Sequence, residues 1–308
     1  MYQIKKIKNQ RLAILVFLVF ATVSLSISCA GRSARSKPFL SAEEMIDQPY
    51  GEHDKQKFDI YLPEGRSAES TPVLFVIHGG GWAYGTKSDY NYWIDIIKED
   101  IPHMAFVSVG YRLADGKEMT NQFPAQEEDI KACVEYVMNN RLKYGISDRF
   151  VLSGASAGAH LALLQAYKHG SGSYKPAGVV SIIGPANMSN VFEQIMATDD
   201  LNKETFFNWF VDAVGGTPEE KPELCYTSSP VNYVASDSPP TLLLYGDIDP
   251  IVPRQQADEL AAKLTEFGVE HTYRLYPGIG HNVSEVFTDM MKEFVDFIKK
   301  CLKLSERY

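Results

Sequence analysis

Between residues 50 and 300, short runs rich in Val, Ile, Leu and Phe alternate with longer stretches whose apolar side chains recur every three or four positions. A strand buried on both faces reads as a continuous apolar run, whereas a helix with one buried face repeats at 3.6 residues. The spacing predicts strands over 58–62, 73–78, 105–110, 150–153, 179–183, 241–245 and 272–276, and helices over 125–144, 158–169, 254–267 and 285–302. Ile130, Cys133, Val134 and Val137 fall on one face of the first helix, and Phe287, Met291, Phe294 and Ile298 on one face of the last. Strands alternating with helices imply a mostly parallel sheet with helices on both faces. Residues 187–234 break the alternation and concentrate Phe192, Phe206, Phe207, Trp209 and Phe210, so this stretch is expected to be a helical insert layered over the sheet.

The 308 residues suit one large α/β domain, and 45% hydrophobic and 12% aromatic content supplies a sizeable core. Residues 1–11 carry Lys5, Lys6, Lys8 and Arg11, and 12–28 are apolar or small throughout. This resembles a bacterial signal peptide, giving a division into a signal peptide (1–28), a tether (29–45) and a single catalytic domain (46–308). Small residues followed by Cys29 resemble a lipobox, which implies a lipidated Cys29 and an extracytoplasmic, membrane-anchored lipoprotein; secretion with Cys29 removed is the other reading. The cleavage removes four positive charges and no acid, taking the formal charge from −9 to −13. With no basic stripe to offset it, that charge excludes nucleic acid as a partner. Cys29, Cys133, Cys225 and Cys301 form no CxxC pair and have no nearby histidine at ligand spacing, so no metal is expected.

The candidate chemistry lies where expected strands end. Gly154-Ala155-Ser156-Ala157-Gly158 follows the run 150–153 and opens the helix 158–169. A serine on so sharp a bend exposes its hydroxyl at the positive end of the new helix, and the flanking positions must be free of side chains. His78-Gly79-Gly80-Gly81-Trp82 follows the run 73–77, where glycines let backbone N–H groups approach a developing oxyanion closely. Late in the chain, Gly246-Asp247-Ile248-Asp249-Pro250 follows the run 241–245, and Gly278-Ile279-Gly280-His281 follows 272–276. The order Ser, Asp, His resembles that of α/β-hydrolases, with Ser156 as nucleophile, His281 as general base and Asp249 as the acid that orients it. Asp247 is the alternative acid and otherwise a brace for the loop. The resemblance implies that Gly80, Gly81 and Ala157 donate the oxyanion-hole amides, and that His78 braces the glycine loop.

Together with Tyr111-Arg112-Leu113, Phe123-Pro124-Ala125-Gln126 and Asp129, these motifs resemble the carboxylesterases related to hormone-sensitive lipase. Ser156-Ala157-Gly158-Ala159-His160-Leu161 is most similar to the acetyl and feruloyl esterases. Ala155 and Ala159 depart from the Asp and Gly of the lipase group proper. The resemblance covers about residues 50–300 and implies cofactor-free hydrolysis of a small-molecule or polysaccharide ester through an acyl-enzyme. Two other readings stand beside it. Arylformamidases share the His-Gly-Gly and Ser-Ala-Gly-Ala-His motifs, and a hydrolase fold can also serve as a non-catalytic binding module.

Overall fold

The computed structural model describes residues 40–170 and 174–304. The signal peptide 1–28, Cys29 and the tether as far as residue 39 lie outside the described residues. Eight strands form one sheet: β1 (Glu43–Pro49), β2 (Lys57–Leu62), β3 (Val73–Ile77), β4 (Ala105–Val109), β5 (Phe150–Ala155), β6 (Gly178–Ile182), β7 (Thr241–Gly246) and β8 (His271–Tyr276). Their order across the sheet is β1-β2-β4-β3-β5-β6-β7-β8. β2 pairs antiparallel with β1 and β4, and every other pairing is parallel. Every residue of β3 to β7 is buried, so both faces of the central sheet are covered, which is why those segments read as unbroken apolar runs.

All seven expected strands are present. β1 is additional, and its first three residues occupy the end of the 29–45 stretch expected to be a tether, so the folded part begins ahead of residue 46. Its sequence hides it for a physical reason. β1 is an edge strand with five of seven residues exposed, and a register shift between Met45 and Gln48 breaks the alternation that would mark a half-buried strand.

The helices are α1 (Asn91–Asp100), α2 (Ala125–Asn139), α3 (Arg141–Tyr144), α4 (Ala157–Tyr167), α5 (Val191–Met196), α6 (Lys203–Val214), α7 (Pro222–Thr227), α8 (Gln255–Glu266) and α9 (Phe287–Cys301). The expected helix over 125–144 is two helices. Asn140 ends the first by donating its side-chain amide back to the Tyr136 carbonyl, and left-handed Gly145 ends the second. α5, α6, α7 and the 3₁₀ turn Pro230–Tyr233 make up the insert, which is helical as expected. Cys133 and Cys225 are buried free thiols.

The motifs at 111–113 and 123–129 are a structural lock. Asp129, 1% exposed, accepts from the Arg112 backbone N–H at 2.8 Å, from the Arg112 guanidinium at 2.7 Å and from Gln56 Nε2 at 2.7 Å. Gln126 Nε2 donates to the carbonyls of Arg112 and Asn121. The segment leaving β4 is thereby fixed to the first turn of α2. Every hydrogen-bond partner of the Asp129 carboxylate is a donor, so Asp129→Asn would turn an N–H group against them. We expect a loss of about 2–4 kcal/mol, measured by urea unfolding, the exposed edge of Arg112 keeping it from being larger.

Candidate active site

β5 passes into α4 through Ser156, whose backbone is forced to φ 53° and ψ −125°. The flanking glycines are required by contact. A methyl on Gly158 would lie 2.2 Å from the Ile77 carbonyl oxygen and 2.4 Å from that of His78, and one on Gly154 would lie 2.4 Å from the Gly158 backbone. The bend is held from both sides, since Ser156 N–H donates to the Ile182 carbonyl at 2.9 Å and His160 N–H to the Ser156 carbonyl at 3.1 Å.

The ends of β5, β7 and β8 bring together three side chains far apart in sequence. His281 Nε2 lies 3.2 Å from Ser156 Oγ, and His281 Nδ1 lies 2.8 Å from Asp249 Oδ2. The Asp249 side chain is fully buried, and its other oxygen accepts from the backbone N–H groups of Ile251 at 2.9 Å and Val252 at 3.0 Å. A carboxylate so placed draws the imidazole proton to Nδ1 and leaves Nε2 free to accept from the serine hydroxyl. Asp247 stands apart: its Oδ1 accepts from Gly278 N–H at 2.7 Å, which ties the loop after β7 to the loop after β8. Gly246 closes the same seam, because a methyl there would lie 2.0 Å from the Ile279 carbonyl oxygen. Of the two aspartates, the geometry gives Asp249 to the histidine and Asp247 to the loop.

Gly80 and Gly81 take φ of 100° and 58°, and Trp82 follows at 60°. Ala83 and Tyr84 N–H both donate to the Gly80 carbonyl, curling the loop back on itself. Among the described residues no acceptor takes the amides of Gly80, Gly81 or Ala157. His78 stacks on Tyr111 at 4.1 Å and 7°, and its Nδ1 bonds the Gly79 carbonyl at 2.8 Å. Tyr111 Oη donates to the His78 carbonyl at 2.9 Å. His78 is thus the brace expected.

His160 does more than the sequence reading gave it. Trp82 Nε1 donates to its Nδ1 at 3.2 Å, and its Nε2 bonds the Ser228 carbonyl at 2.7 Å. The first partner is a donor and the second an acceptor, so the ring must be neutral with its proton on Nε2. One imidazole thereby joins the serine helix, the glycine loop and the insert. Its signal was faint: a histidine four residues after the serine on an otherwise apolar helix, with no partner visible nearby in sequence.

Residues 58–264 match the family BD-FAE. The chain belongs to the BD-FAE family. Esterase LipQ and Esterase LipC of Mycobacterium tuberculosis are 27% and 25% identical to it over 74% and 75% of the chain. Those alignments cover 54% and 58% of the two relatives, so the chain spans little more than half their length. A solved structure titled as a truncated carbohydrate esterase from gut microbiota superposes with a TM-score of 0.69 at 22% identity, over 85% of this chain and 97% of that one. This BD-FAE chain has the α/β-hydrolase fold.

Burial lowers the pKa of both His78 and His160 to about 4. Each ring is therefore neutral in the fold and charged in the unfolded chain below about pH 6.5, so its contribution to stability is present above that pH and lost as pH falls toward 4. Urea unfolding at pH 7 and pH 5 checks this. His160→Gln should be less stable at pH 7 but lose about 2 kcal/mol less than the parent over the interval. An equal loss would mean that His160 does not titrate on unfolding.

Proposed function

We propose that this chain is a serine carboxylesterase that hydrolyses small acyl esters, of acetyl or feruloyl type, on a small molecule or a polysaccharide. The observation that carries the reading is the unbroken hydrogen-bond line Asp249–His281–Ser156 beside three unspent backbone amides. Ser156 Oγ attacks the ester carbonyl while His281 Nε2 takes its proton, and the amides of Gly80, Gly81 and Ala157 receive the negative charge on the carbonyl oxygen. His281 then protonates the leaving alcohol. Water, deprotonated by the same nitrogen, releases the acid and restores Ser156. Family membership and relatives named as esterases support the ester bond, and the neighbour titled a carbohydrate esterase supports a sugar-borne one. Tethering by a lipid on Cys29, outside the cytoplasm, suits an extracellular ester.

Ser156→Ala and His281→Ala should each lower turnover of p-nitrophenyl acetate by ~10⁴-fold or more with the fold intact. Asp249→Asn should lose less than either and more than Asp247→Asn. A Ser156→Ala variant keeping a tenth of the activity overturns the reading, and the reverse order of the aspartates moves the acid to Asp247. Acetylated xylan and methyl ferulate should be turned over with higher kcat/KM than N-formylkynurenine; the opposite preference favours the formamidase.

The anchor has its own check. Cys29→Ser expressed in a bacterial host should move the protein from the membrane fraction to the soluble fraction. Unchanged partition would remove the lipid from the proposal.

A further inference from the structure

Tyr90, at the N-cap of α1, points its ring inward and its hydroxyl toward the serine. The ring stacks on Trp93 at 4.1 Å and 7°, and Trp93 meets Phe294 edge-on at 6.1 Å, so the phenol is anchored in the core. Its other end faces the glycine loop. A methyl on Gly79 would lie 2.9 Å from Tyr90 Oη, 2.8 Å from the Ala155 carbonyl oxygen and 3.4 Å from Ser156 Cβ. One point thus touches both the phenol oxygen and the serine, and because residue 79 is a glycine the gap between them stays open.

The hydroxyl proton is unspent. Tyr50 Oη donates to the Gly110 carbonyl at 2.6 Å and Tyr111 Oη to the His78 carbonyl at 2.9 Å, whereas no acceptor among the described residues takes the Tyr90 proton. Burial pushes its pKa up to about 12, opposed in part by the Gly79 backbone beside it, which keeps it a neutral donor at neutral pH. A partly buried phenol normally finds a partner. Here the partner's place adjoins the nucleophile.

We propose that Tyr90 is a further catalytic residue, a side-chain donor whose hydroxyl reaches the oxygen of the carbonyl attacked by Ser156 and shares its negative charge with the amides of Gly80, Gly81 and Ala157. The inference rests on the reading of Ser156 as nucleophile. As the Ser156 Oγ–carbon bond forms, the carbonyl π pair moves onto oxygen and the serine proton passes to His281 Nε2. Tyr90 keeps its own proton and strengthens its hydrogen bond as that charge grows.

The test is Tyr90→Phe in the full chain, which keeps the stack on Trp93 and removes one oxygen. With p-nitrophenyl acetate, kcat should fall ~10- to 100-fold while KM stays within about twofold and the melting temperature is unchanged. Phenylboronic acid, which forms a tetrahedral adduct on an active serine, should bind more weakly by about the same factor, and this is read on the folded fraction whatever the melting temperature. Unchanged kcat, a loss confined to KM, or undiminished boronic acid binding each overturns the role of Tyr90. A parent chain without ester turnover, or a Ser156→Ala variant that keeps it, overturns the nucleophile itself. Parent activity with an unaffected Tyr90→Phe overturns Tyr90 alone.

Discussion

The site depends on a close approach of backbone to backbone, with Gly158 at the start of the serine helix lying against the carbonyls of Ile77 and His78 at the end of β3. No side chain stands between them that could shift to another rotamer. The contact therefore fixes the serine bend relative to the loop that carries Gly80 and Gly81. Holding a serine in left-handed backbone costs on the order of 1–3 kcal/mol and persists only where the surroundings over-determine it. Here the hydrogen bonds from Ser156 to Ile182 and from His160 to Ser156, together with the contact of Gly154 on Gly158, do so.

Three histidines of the described chain show how environment separates support from chemistry. His78 and His160 are buried, and that burial lowers their pKa values to about 4 against the opposing pull of the Gly79 and Ser228 carbonyls. His281 is a quarter exposed, with a buried carboxylate on one nitrogen and the Ser156 hydroxyl on the other. A ring that gains and loses a proton, as proposed for His281, needs a partner for the charged state, and of the three only His281 is hydrogen-bonded to a carboxylate. Asp249 is ready for that duty because two backbone N–H groups already hold it in place.

Much of this was legible in the sequence. Strands buried on both faces announced themselves as apolar runs, and motifs at their ends carried their own steric reasons, so the meeting of Ser156, Asp249 and His281 could be expected before any distance was known. The choice of Asp249 over Asp247 rested on resemblance, and the structure supplies its physical basis in the bond of Asp247 to Gly278. β1 was missed because an exposed edge strand with an irregular register has no pattern to read. The break after Asn139 was missed because Asn140 interrupts the helix without breaking the apolar periodicity that runs past it. His160 and Tyr90 were not assigned these placements for a different reason: their meaning lies in Trp82, Ser228, Gly79 and Ser156, contacts made across the fold rather than along the chain.

The same contacts decide what kind of element the aromatic insert is. Phe210 of α6 packs on Trp82 at 5.2 Å and on Phe192 of α5 at 5.9 Å, and Trp82 donates to His160, whose other nitrogen bonds Ser228 between α7 and the 3₁₀ turn. The insert is therefore fastened at two places to the machinery beneath it. Swinging it aside as a hinged lid would pull Phe210 off the residue next to Gly81 and leave a buried imidazole without its acceptor, a cost of roughly 1–3 kcal/mol for the unsatisfied group alone. Trp209, on the same helix as Phe210, is 40% exposed, so one helix buries one aromatic against the glycine loop and offers the next to solvent. An insert built this way is part of the support that holds the loop carrying Gly80 and Gly81 in position.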